Sequence, residues 1–200
     1  MRMRKWMIAA ALVITLPAAE TLAQDNDAFV PPCSVAPYTD FDFWVGDWIA
    51  FDYDSGVVFG YDSIEKTQDG CVVHQNWTQL TDRFRVAGSP SRYTGESLNS
   101  VLADGQWNQV WAGSGGSTII VSGGLDEQGR MVLRSGELTA ASGALYQNTW
   151  YWDLREDGTI HSWGEVRILD DVGNWGDPQI QWNIRYVSRH DVRNLVEVME

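Results

Sequence analysis

The stretch Arg92–Ala112, RYTGESLNSVLADGQWNQVWA, holds two runs of alternating residue character joined at Asp104-Gly105. In the first run Ser97, Asn99 and Val101 share one face, and in the second Trp107, Gln109 and Trp111 do. A period of two puts alternate side chains on opposite faces of a β-strand. Asp-Gly between two such runs favours a tight hairpin, because glycine accepts the positive φ that the turn requires. The stretch is therefore predicted to form two antiparallel strands.

The same grammar extends in both directions. Upstream, a strand from Trp48 to Tyr53 reaches the turn Asp54-Ser55-Gly56, and Val57–Gln68 and Cys71–Leu80 flank Asp69-Gly70. Thr81–Ser91, with Gly88 and Pro90, is predicted to be a loop over one barrel end. Downstream, strands are predicted at Ser117–Ser122, Arg130–Leu138, Leu145–Leu154, Thr159–Leu169 and Gln179–Arg189, separated by glycine-bearing turns and one polar loop, Asp170–Pro178. Ahead of them all, FDFWVGDW (Phe41–Trp48) is predicted to start with a single helical turn that ends at Gly46. About ten strands follow one another with no helix long enough for a parallel crossover, which predicts an all-β fold. Such a chain must protect its sheet edges, and closure into a single antiparallel up-and-down β-barrel is favoured over a two-sheet sandwich.

Two hundred residues with 44% apolar content suit one domain. Residues 1–23 read as a signal peptide: a basic start (Arg2, Arg4, Lys5), an apolar run Met7–Leu16 and small residues ending at Ala23. Residues 24–40 then form an N-terminal arm, 41–190 the barrel domain and 191–200 a tail, which is a short helix or a frayed end. No later run is long and apolar enough to span a membrane as a helix. Loss of residues 1–23 removes three of the 14 basic and one of the 27 acidic side chains, leaving 11 against 26 and a net charge of −15. A surface this acidic repels phosphate backbones, which argues against nucleic-acid partners. Cys33 and Cys71 are the only cysteines, and in an oxidising compartment an isolated pair is expected to form a disulfide. The expected address is secreted, in the periplasm.

Four motifs occur in order: Phe41-x-Phe43-Trp44-x-Gly46-Asp47-Trp48, Gly70-Cys71 followed by Trp77, Gly95-x-Ser97-Leu98-Asn99, and Trp107-x-Gln109-x-Trp111. Together they resemble a family of secreted bacterial proteins of unknown function with a lipocalin-like, calycin-type barrel. The resemblance implies the fold and no activity. Gly46-x-Trp48 also resembles the first lipocalin motif, in which an arginine from the last strand covers the tryptophan. That likeness implies a cation–π contact of Arg185 or Arg189 with Trp48.

Alternation also nominates a lumen. Gln75 and Trp77 share a strand face, as do Asn99 with its neighbours and Gln109 with Trp111; further on come Asn148 with Trp150, and His161 with Trp163. Faces that mix indoles with amides suit the wall of a small-molecule pocket. The expected partner is therefore a small, partly apolar ligand. Two other roles stay open: a metal-independent enzyme acting in the same lumen on a hydrophobic or glycosidic substrate, and a fully packed interaction module. A glycosidase would need two acids facing inward, for which Glu96 and Glu165 are candidates. His74, His161 and His190 lie too far apart for a local metal motif, and no cofactor is expected. Asp40, Asp42, Asp47, Asp52 and Asp54 read as a solvated acidic cluster at one barrel end. The sequence leaves the oligomeric state open.

Overall fold

The computed structural model describes residues 30–192. The signal peptide, the first six residues of the arm and the tail from residue 193 lie outside the described residues. The described residues form eleven strands: β1 (Gly46–Asp52), β2 (Val58–Thr67), β3 (Val72–Gln79), β4 (Thr94–Val101), β5 (Trp107–Gly113), β6 (Thr118–Leu125), β7 (Met131–Arg134), β8 (Leu138–Thr139), β9 (Leu145–Leu154), β10 (Ile160–Ile168) and β11 (Gln179–Ser188). Every pairing is antiparallel, and β11 returns to β1 from Trp48↔Ser188 to Asp52↔Ile184. Ten strands thus close an up-and-down barrel, with β8 a two-residue addition beside β9. Closure leaves no free edge among those ten, as the expectation from sequential hairpins required.

One predicted strand is split. Arg130–Leu138 breaks after Arg134 because Ser135 Oγ accepts the Asn148 amide at 2.9 Å and donates to Gly136 O at 2.7 Å. The Ser135 N–H still donates to Asn148 O at 3.0 Å, but the return bond goes to the serine side chain, and the chain turns before β8.

The two ends of the barrel differ. At one end the chain ahead of β1 folds across the opening, with a 3-10 turn at Asp42–Trp44. Phe41 and Trp44 are fully buried and stack at 4.8 Å, while Phe41 meets Trp107 and Trp152 edge-on at 5.6 and 5.2 Å. The indole N–H groups of Trp48 and Trp107 donate to Trp44 O and Pro37 O at 2.8 and 3.1 Å. The expected Cys33–Cys71 disulfide ties this arm to the β2–β3 turn across 38 residues. In the chain-entropy model a loop of that length is worth about 4 kcal/mol.

The lipocalin-like cation–π contact is absent. Tyr186 is the inward residue of β11, so alternation turns Arg185 out to solvent, and Arg189 is exposed as well. Trp48 is instead met by the Tyr186 ring, edge-on at 6.1 Å. The acidic cluster also separates: Asp42 pairs with Lys66 at 2.6 Å by the closed end, whereas Asp52 holds the β1–β2 turn through Ser55 at the other.

Candidate ligand-binding cavity

Inside the barrel, at the end away from the arm, lies a cavity of about 230 Å³. Three of its wall residues are indoles laid against glycines. Trp77 of β3 covers Gly60 of β2, Trp111 of β5 covers Gly95 of β4, and Trp182 of β11 covers Gly164 of β10. A methyl group on those glycines would lie 2.5, 2.1 and 2.2 Å from the respective rings. Only a residue without Cβ lets an indole lie flat on the neighbouring strand, and a flat indole offers its other face to the lumen. Trp150 meets Trp182 edge-on at 5.4 Å, and Phe59, Ile119, Trp152 and Ile184 add to the apolar lining.

The mouth is formed by exposed residues, Phe84 of the β3–β4 loop and Ser117 ahead of β6. Tyr93 accepts the Trp111 indole N–H at 3.1 Å and holds that ring in place. The loop is anchored by polar bonds. Gln79 Nε2 donates to Thr81 O, Thr81 Oγ1 and Arg83 O, and Arg83 Nη2 reaches across to Gln181 O on β11.

The lumen also has a buried polar network. Asp62 Oδ2 accepts from Gln75 Nε2 and from Tyr186 Oη, both at 2.8 Å. Gln75 Oε1 accepts from Ser97 Oγ at 2.9 Å, and Ser97 Oγ in turn accepts from Gln109 Nε2 at 2.9 Å and Asn99 Nδ2 at 3.0 Å. Asn99 Nδ2 also donates to Val73 O, which fixes the orientation of its amide. Burial raises the Asp62 carboxyl well above the ordinary carboxylate range, with the bonds from Tyr186 and Gln75 only partly opposing it. Burial and the adjoining Asp62 likewise hold the Tyr186 phenol protonated. Both shifts favour the uncharged forms of these two groups.

Of the residues nominated from sequence, Gln75, Trp77, Gln109, Trp111 and Trp150 line the cavity. Asn99 lies behind it in the polar network, and Asn148 is buried on the same inward face of β9 as Trp150. His161 and Trp163 do not face the lumen. On β10 the inward residues are Ile160, Ser162 and Gly164, so the strand runs in the opposite phase to the one expected.

On the outside, His161 stacks on Tyr53 at 4.1 Å, and Trp163 lies parallel to Tyr151 at 4.4 Å. Arg155 lies 2.8 Å from His161 Nδ1, and Asn183 Oδ1 lies 2.7 Å from Nε2. A guanidinium only donates, so Nδ1 accepts and Nε2 carries the proton. Burial is the main cause of the lowered His161 pKa.

Glu96 and Glu165 also stand outside: Glu96 lies beside His74, and Glu165 accepts from Tyr151 Oη and Trp163 Nε1. No inward carboxylate pair forms from them. Among the described residues no three His, Cys, Asp or Glu side chains gather as a group that could hold a metal.

Reasoning from sequence missed Asp62, Tyr186 and Trp182. Asp62 alternates with Gly60 and Ile64 on one face of β2, and this was the available signal. An aspartate in a row of small and apolar residues was hidden by the polar character of the neighbouring positions Tyr61, Ser63 and Glu65 on the other face.

The chain matches no protein-family model, and no curated protein is similar to it. No helix among the described residues is long and apolar enough to cross a membrane.

Proposed function

We propose that this is an exported barrel protein that holds one small, partly apolar molecule in its lumen. The observation that carries the proposal is the indole-on-glycine wall. Three tryptophans are spread flat over glycines and surround a space that their rings could have filled. The volume, about 230 Å³, exceeds the roughly 150 Å³ in which an engineered apolar cavity holds benzene, and suits one or two rings. Aromatic area supplies affinity and a few polar groups supply orientation, the usual division of labour in such pockets.

Binding is favoured over acid–base catalysis by the chemistry of the lining. Its titratable side chains are Tyr93 and Tyr186, and Tyr186 Oη is engaged with Asp62. Export is supported by the N-terminal sequence and by the Cys33–Cys71 bond, which suits an oxidising compartment. The motif resemblance to secreted lipocalin-like barrels points the same way.

Native mass spectrometry of the protein purified from the cells that make it, compared with the same sample denatured, tests the proposal. The expected result is an added small mass that denaturation removes and that Trp111→Ala fails to retain while circular dichroism stays that of a barrel. A bare mass, with no small apolar compound binding afterwards, would overturn it.

A further inference from the structure

The lumen contains buried polar atoms to which the protein gives no partner. Gln109 Oε1, an acceptor, and the indole Nε1 groups of Trp150 and Trp152, both donors, belong to residues of the cavity wall; each atom is sealed just beneath the cavity surface, so a ligand meets it only as the side chains around it shift. Asp62 Oδ1, Asn99 Oδ1 and Asn148 Oδ1 lie behind them, also unpartnered. The orientation of Gln109 follows from its network. Ser97 Oγ gives its proton to Gln75 Oε1 and therefore accepts from Gln109 Nε2, which leaves Oε1 over. Both lone pairs of Asp62 Oδ2 are similarly taken, so a proton on this carboxyl falls to Oδ1.

A buried donor or acceptor left unpaired forfeits its bonds to water and gains none in return. Several around one cavity mark a place where a further molecule completes the bonding. Among the described residues no arginine, lysine or histidine lines the cavity, so an anion would find no countercharge there, and no lining carboxylate awaits a cation. The flat faces of Trp77, Trp111 and Trp182 favour a planar body, which stacks on indoles without disturbing them.

Building on the lumen-binding function proposed above, we infer that the ligand is an uncharged, planar molecule of one or two rings. It carries a hydrogen-bond acceptor for the Trp150 and Trp152 indoles and a donor for Gln109 Oε1. That is the chemistry of a ring lactam or a hydroxylated nitrogen heteroaromatic. An aliphatic chain would leave the polar atoms unpaired, and a carboxylate would bring a charge the lumen cannot neutralise.

Four compounds of nearly one size and shape separate these requirements: naphthalene, 2-quinolone, N-methyl-2-quinolone and 1-naphthoate, each titrated into the disulfide-bonded protein with tryptophan fluorescence as readout. The expected order places 2-quinolone at least tenfold tighter than naphthalene, with N-methylation removing most of that gain and 1-naphthoate weakest. Gln109→Met is expected to bring 2-quinolone down to the level of naphthalene. N-methyl-2-quinolone tests the same bond with no change to the protein, should that variant fail to fold. If naphthalene binds as tightly as 2-quinolone, or N-methylation changes nothing, the polar assignment is overturned while lumen binding stands. If 1-naphthoate binds tightest, the uncharged class is overturned. If none of the four binds, both the ligand class and the lumen-binding function fall.

Discussion

Both ends of this barrel are built from tryptophan, and they use it in opposite ways. At the closed end Trp44, Trp107 and Trp152 meet other rings, with Phe41 at their centre, and space is consumed. At the open end Trp77, Trp111 and Trp182 meet glycine backbone, and space is preserved. What stands opposite an indole decides whether it is core or wall. The difference extends to how each end is fastened. The closed end is strapped covalently through Cys33–Cys71, whereas the β3–β4 loop at the mouth is held by hydrogen bonds from Gln79, Arg83 and Arg92.

The sharpest way to break the comparison is to empty one site at each end. Phe41→Ala removes a fully buried ring from a filled space and is expected to cost about 3–5 kcal/mol in urea unfolding. Trp111→Ala removes a half-buried ring that borders a cavity and is expected to cost only about 1–2 kcal/mol, yet to abolish ligand uptake. Equal losses of stability would mean that both ends are core. The strap comes next. Replacing both cysteines by serine is expected to cost up to about 4 kcal/mol in the same unfolding measurement while leaving the open end able to bind.

Gly95→Ala tests the wall directly. Its new methyl group must push the Trp111 ring toward the lumen, so ligand affinity is expected to fall at least tenfold with little change in folded content, read by fluorescence titration and circular dichroism. Unchanged affinity would show that the flat indole is not what holds the space open.

Asp62→Asn probes the polar network, since an amide copies the protonated acid. The folded-state pKa of Asp62 lies above its unfolded value of about 3.9. Above that value the folded state holds a proton that the unfolded state has released, so stability declines as pH rises toward the folded pKa. The slope is about 1.4 kcal/mol per pH unit while the difference lasts. The asparagine variant is expected to lose this slope above about pH 4; an unaltered slope in urea melts at pH 5, 7 and 9 would mean that Asp62 ionises in place. The smallest effect is expected of Arg83→Ala. Faster amide exchange across residues 82–91 with global stability lowered by no more than about 1 kcal/mol would match a loop held at the surface.

Much of the barrel could be read from period-two alternation and from turn glycines, because both act within a few residues of chain. Closure follows from the need to protect sheet edges and the disulfide from there being only two cysteines, whereas the strands and five of the cavity residues follow from that local information. The phase of β10 does not. Its residues alternate between Trp163 and His161 on one face and Ser162 and Gly164 on the other, and composition alone assigns the larger set to the interior. The interior takes the smaller set because Trp150 and Trp182, on the strands either side, already fill the space opposite Gly164. The inward setting of Asp62 was hidden for a similar reason: its partners Gln75 and Tyr186 come from strands 13 and 124 residues away. Pairings across such distances leave no local trace.

The closing seam between β1 and β11 also bears on how the protein comes into being. Residues 46–52 pair with a strand ending at residue 188, so the lumen is sealed only when nearly the whole chain is present. A chain that appears from its N-terminus holds its first strand waiting for its last. Until then its indoles stand in water, and the surplus of acidic side chains keeps neighbouring chains apart during that interval.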